Sequence, residues 1–295
     1  MTLLETAAID TATSRKPRDD EMDVYGLTHA GAVRKENQDH FLICSLRKEV
    51  LVHHTSLTDL GPQATGTQRL ALLMMVADGV GGGAKGEEAS RLAVEVVTRY
   101  VTGSMRCYYA SEPADDQEFL QALEHAAQQC HEEVLRHAAE NPEYRGMATT
   151  LTMWLSSWPR AFLLQIGDSR CYLLRGDELT QITRDQTMAQ ELIDLGVLTR
   201  ADAATTRYAT TLSSAIGGRQ TAPVVTRIGL DWGNVALLCS DGLTRHVSDE
   251  RIRERLRTMT SSRQVCEDLL QDALNDGGTD NITIVVRRAV RRGEG

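Results

Sequence analysis

The chain has 295 residues, 41% of them hydrophobic, and a formal net charge of −9. This is enough for one large folded unit or two small ones, and the acidic balance with no basic stripe argues against a nucleic-acid partner. No apolar run approaches the roughly 20 residues a membrane helix needs, so no membrane partner is expected either.

Residues 1–22 have neither a basic start nor an uninterrupted apolar stretch, and read as a disordered tail rather than a secretory signal. Strands are expected at 23–28 and 39–44, with a polar excursion over 46–68. The run 70–77 is apolar at every position, as in a strand buried on both faces. It leads into Asp78 and glycines at 79, 81, 82, 83 and 86. An amphipathic helix follows, with Ala89, Leu92, Ala93, Val96, Val97 and Tyr100 on one face. A second long helix spans 117–140; its histidines 125, 131 and 137 recur every six residues, which turns them away from a common face, so they are expected to be solvated.

Strands then cluster at 149–155, 161–166 and 170–175. The stretch 183–218 reads as a mobile surface module with a short helix at 188–195 and a capping-box start at Thr199. Strands at 224–230 and 235–239, helices at 249–257 and 262–275 and a strand at 281–286 complete the order, and the basic end from 287 should fray. Because strands cluster without alternating with helices, the expected fold is α+β: two packed antiparallel sheets flanked by helices, in one domain over 23–288 with a C-terminal tail at 289–295. The cysteines form no C-x-x-C pair, which suits a reduced, cytoplasmic protein.

Asp78 admits three readings: a solvated turn residue, part of a dinucleotide loop through Gly81-x-Gly83-x-x-Gly86, or a metal ligand. The dinucleotide fingerprint needs a second parallel strand after the helix, and here a polar stretch follows instead. The metal reading needs more carboxylates of the same kind. Asp39, Asp168, Asp241 and Asp280 also stand at expected strand ends. One Asp-Gly is usually a turn, but several such aspartates make a set of hard oxygen donors suited to magnesium or manganese rather than zinc.

Six segments, in order, then resemble the type 2C metal-dependent serine/threonine protein phosphatases: Arg34-x-x-Asn-Gln-Asp39, Ala77-Asp-Gly-Val-Gly-Gly82, Gly146-Met-Ala-Thr-Thr-Leu151, Ile166-Gly-Asp-Ser-Arg170, Leu238-Cys-Ser-Asp-Gly-Leu243 and Gly278-Thr-Asp-Asn-Ile-Thr283. The resemblance implies hydrolysis of phosphoserine and phosphothreonine by a water activated between two Mn²⁺ or Mg²⁺ ions. It puts Asp78 between the ions, the Gly79 carbonyl on one, and Asp241 and Asp280 on the other. Asp39 would act directly or through water, and Arg34 would clamp the phosphate. Asp168, with Thr210 by position, would serve a third, weaker ion. The flap near the substrate entrance corresponds to 183–218. The partners so implied are phosphorylated proteins, either kinase substrates or a kinase itself, met by a monomer.

The chain departs from the family pattern in three places. Gln38 stands where some members carry Glu, Val80 where many carry a His that protonates the leaving group, and Ala148 where glycine is usual. Two rivals remain: a catalytically weak phosphatase fold used for binding, and a cysteine mechanism. Cys239-x-x-Gly242-x-x-Arg245 has the shape of a thiol phosphatase loop, but Asp241 would put a negative charge inside the cradle.

Overall fold

The apolar run before Asp78 forms the middle of a sheet. A computed structural model describes residues 15–49, 67–104 and 116–291. In it strand β3 is Gln68–Val80, flanked by β2 (Asp39–Lys48) and β5 (Leu151–Ser157). Leu73, Met75 and Ala77 point to one side of β3, and Leu72, Met74 and Val76 to the other; all six are buried. Each large side chain buried in this way stabilises the fold by about 1.5–3 kcal/mol.

The remaining strands are β1 (Met22–His29), β4 (Ala148–Thr149), β6 (Arg160–Ile166), β7 (Arg170–Arg175), β8 (Glu178–Gln181), β9 (Val224–Gly229), β10 (Val235–Cys239) and β11 (Ile282–Ala289). One sheet is ordered β1-β11-β10-β7-β8, the other β2-β3-β5-β6-β9 with β4 paired to β3, and every pairing is antiparallel. Helices α1 (Ala84–Ser104) and α2 (Asp116–Glu140) cover the outer face of the second sheet. In the 183–218 stretch lie α3 (Met188–Asp194) and α4 (Arg200–Ala204), and after β10 comes a one-turn helix, α5 (Asp241–Thr244). The outer face of the first sheet is covered by α6 (Asp249–Thr258) and α7 (Ser262–Asn275). Between the sheets, Met74, Trp154 and Leu163 meet Leu173, Leu238 and Val285. The expected four-layer α-β-β-α sandwich is therefore the fold.

Several boundaries differ from expectation. β2 and β3 extend beyond their predicted ends, while 50–66 lie outside the described residues. Asp78 therefore sits inside β3, paired with Asp39, rather than at its end. The strand β8, which forms a hairpin with β7, was not among the expected elements. The basic end does not fray at 287: β11 continues to Ala289, and Arg287 is buried in it. Of the tail expected over 1–22, residues 1–14 lie outside the described residues; Glu21 is buried and held by Arg15 and Arg18. The histidines are not simply solvated. Gly217 N donates to the buried His131 Nδ1 at 3.1 Å, and His137 pairs with Glu88 and stacks on Tyr144. Tertiary contacts with loops beyond the helix override the helical spacing. Thr187 and Thr199 do cap α3 and α4.

Candidate active site

All of the aspartates singled out in the sequence come together at one end of the sandwich. Antiparallel pairing puts the start of β2 beside the end of β3, and the start of β11 beside the end of β10. Asp39 thus faces Asp78 across a strand pair, Asp241 opens α5, Asp280 precedes β11, and Asp168 occupies the β6–β7 turn. Asp78, Asp168, Asp241, Asp280, Arg34 and the Gly79 backbone line a single cavity of about 590 Å³. Thr210, Thr211 and Leu212 line it from the 183–218 stretch, and Val80 lies at its edge.

Hydroxyls and amides from neighbouring elements fix the Asp78 backbone and the Asp39 carboxylate. The Asp78 amide donates to Thr150 Oγ1 at 3.0 Å, and its carbonyl accepts from Thr150 N and Thr149 Oγ1, both at 2.9 Å. Thr150 also meets Ser169 Oγ at 2.7 Å, which ties the β3 site to the Asp168 turn. Asp39 Oδ2 accepts from Ser240 Oγ and Thr283 Oγ1, each at 2.7 Å. Asn281 donates to the Ala30 and Glu36 carbonyls and accepts from Gln38 N, anchoring the loop that carries Arg34. Gly79 is needed because a Cβ there would stand 2.2 Å from the Gly86 carbonyl oxygen, where α1 packs on β3.

The electrostatics follow from crowding carboxyls away from water. Burial above all pushes the Asp39 carboxyl up to about 7; the Thr283 and Ser240 hydroxyls oppose this, and the Asp241 and Asp280 charges add to it. Burial, then Asp39, Asp241, Asp168 and Asp280, hold Asp78 well above the usual carboxylate range. Asp168 is raised to about 8 by burial and then by Asp241 and Asp185. Folded values above the unfolded ones mean stability that is present at low pH and lost as pH rises through them. In chelator, the melting temperature is expected to fall between about pH 5 and 8, and to fall less in Asp168→Asn. An equal drop in both proteins would contradict this.

Sequence reasoning missed Arg245 as part of the site. Its guanidinium spans Asp241 and Asp280, reaching Asp280 Oδ2 at 2.7 Å, and Arg34 Nη2 reaches the same oxygen at 3.0 Å. The only available signal was its place one turn after Asp241, at i+4 on a helix. Among the described residues no three His, Cys, Asp or Glu side chains converge as a ready-made ion cage. The donors nonetheless fit magnesium or manganese, which keep several waters and take one or two carboxylates each. Asp39 Oδ1 is buried without a partner among the described residues, a further oxygen suited to a cation or its water. Cys239, by contrast, is fully buried, and its thiol is pushed up to about 12, chiefly by burial. Arg245, which a thiol loop would need over the phosphate, is bound to carboxylates instead.

The protein phosphatase 2C family model matches residues 61–277. The serine/threonine protein phosphatase PstP of Mycobacterium tuberculosis is 37% identical over 220 residues, 75% of this chain, and the chain spans 41% of that relative's length. Protein phosphatase PhpP of Streptococcus pneumoniae is 30% identical over 241 residues, covering 78% of this chain and 94% of the relative. A crystal structure of the PstP catalytic domain in complex with two manganese ions aligns with 92% of this chain and 99% of its own, at 32% identity and a TM-score of 0.70. Six ordered motifs, one carboxylate-lined cavity and these matches agree: the chain belongs to the protein phosphatase 2C family.

Proposed function

We propose that this protein hydrolyses phosphoserine and phosphothreonine in proteins, and that it does so with Mn²⁺ or Mg²⁺. The observation that carries this reading is the convergence of five aspartates and Arg34 about one cavity. Asp78, the Gly79 carbonyl, Asp241 and Asp280 would hold the two ions, and Asp39 would act directly or through water by its free Oδ1. Bound there, the ions supply Lewis acidity and lower the pKa of the attacking water. The chain's own part is positional. Thr149 and Thr150 fix Asp78, Ser240 and Thr283 fix Asp39, and Arg34 offers a planar fork of donors to the phosphate. Arg34 is exposed toward the cavity and so can exchange Asp280 for a substrate oxygen.

The catalytic unit is assigned to 23–288, acting as a monomer on phosphorylated kinase substrates or on a kinase. A cytoplasmic setting is consistent with Cys44, Cys130, Cys171, Cys239 and Cys266 all being free, and no described helix is long and apolar enough to cross a membrane. The test is phosphopeptide hydrolysis with manganese, with excess chelator and with a thiol alkylator. Activity that needs manganese and survives alkylation is expected; full activity in chelator would remove the metal mechanism.

A third, weaker ion at Asp168 belongs to the same proposal. The Arg245 charge also acts on Asp168, so such an ion competes with a resident guanidinium. Asp168→Ala is expected to bind two manganese ions normally in calorimetry yet turn over phosphopeptide more slowly. Unchanged turnover at limiting manganese would eliminate the third ion.

A further inference from the structure

A second concentration of charge, of opposite sign, lies at the other end of the sandwich. On β11 the inward positions are Thr283, Val285 and Arg287. Thr283 bonds Asp39, Val285 lies between the sheets, and Arg287 stands seven residues beyond Asp280, about 20 Å along the strand. Arg287 is only 1% exposed, and its Nε and Nη1 have no partner among the described residues. It lines a small pocket of about 20 Å³ together with Lys16, Arg69, Ser156 and Trp158.

Among the described residues, no Asp or Glu lines that pocket. The nearby carboxylate, Asp19, is half exposed and shared between Arg47 at 2.6 Å and Arg69 at 3.0 Å. Lys16 Nζ donates to the Arg69 carbonyl, and Arg69 Nη2 donates to the Pro17 carbonyl at 2.7 Å, which fixes both residues in the pocket wall beside Arg287. Buried charges in proteins are paired or hydrogen-bonded, because leaving them bare is costly. Burial and the Arg69 charge lower the Arg287 guanidinium to about 10, which still leaves it cationic at neutral pH.

We propose that this pocket binds one small inorganic anion of the chloride or bromide class, held by Arg287, Arg69 and Lys16, which ties the segment before β1 to both sheets. The space admits one particle of water or halide size and excludes a phosphate. Water alone would satisfy hydrogen bonds but would leave the buried Arg287 guanidinium, next to Arg69 and Lys16, with no anion of its own among the described residues.

The test is thermal melting of the full chain in sodium chloride or bromide against sodium gluconate at equal ionic strength. Halide at about ten times its Kd is expected to raise the wild-type Tm by roughly 2–4 °C. Arg287→Met should melt at the same temperature in both salts, with phosphopeptide turnover unchanged because the carboxylate site lies at the far end. Equal wild-type melting in the two salts means that the pocket holds water, and a halide response retained by Arg287→Met means that the ion acts elsewhere; either overturns the proposal. Should Arg287→Met fail to fold, bromide-soaked wild-type crystals decide the matter. An anomalous peak beside Arg287 supports the site, and no peak there rejects it.

Discussion

Asp78→Asn is expected to remove most of the phosphatase rate, by roughly 10²–10³-fold or more, while Cys239→Ser keeps most of it. The asparagine keeps the shape of the side chain, and the backbone bonds to Thr149 and Thr150 are unaffected. What it loses is an anionic oxygen donor at the position facing Asp39, in the cavity that Asp241 also lines. It also relieves repulsion among buried carboxyls, so in chelator the variant should melt no lower than wild type. Loss of rate without loss of fold distinguishes a site residue from a structural one. Cys239 lies in β10 between Arg170 and Ile284 and is closed to solvent. Its serine substitute leaves a buried hydroxyl that costs about 1–3 kcal/mol if unpaired, so folding must be checked by circular dichroism. A folded Cys239→Ser protein without activity, or an Asp78→Asn protein with full activity, would overturn the assignment of the site.

The aspartates were legible because each stands at the end of an expected strand, four of them with a glycine within two residues, and those local signals survive folding. The strand that carries Asp78 was legible for the same reason: with apolar residues on both faces of β3, no other placement buries them all. Residues that act through space left no such trace. Ser240 and Thr283 read as ordinary small polar residues until the pairing of β10 with β11 brings both hydroxyls onto one Asp39 oxygen. Asn281 reads as a turn residue until its amide is seen to hold the Arg34 loop. Arg245 sat inside a segment already quoted for a different mechanism, and only the geometry reassigns it from a thiol loop to the carboxylates. His131 misled because helical spacing describes one helix alone, and the Gly217 loop that covers it arrives from far along the chain.

The absence of a side-chain acid should appear as a steep dependence of rate on the leaving group. Val80 is 40% exposed, and its backbone pairs with Ala148 beside the cavity. Among the described residues, the ionisable side chains lining that cavity are aspartates, already crowded and assigned to cations, and arginines, which do not give up a proton near neutral pH. General acid catalysis typically contributes about 10²–10⁴-fold, and most where the departing oxygen is basic. Phosphoserine leaves as a basic alkoxide, whereas a nitrophenol needs no proton. Wild-type rates should therefore drop steeply across aryl and alkyl phosphates as leaving-group pKa rises, at fixed manganese. Val80→His puts an imidazole at an exposed position on the cavity edge, where it can be accommodated without repacking the core. It is expected to raise alkyl phosphate rates by up to about 10²-fold while leaving nitrophenyl phosphate nearly unchanged, which flattens the slope. A wild-type series that is already flat while chemistry limits the rate means that another group, outside the residues lining this cavity, already delivers the proton.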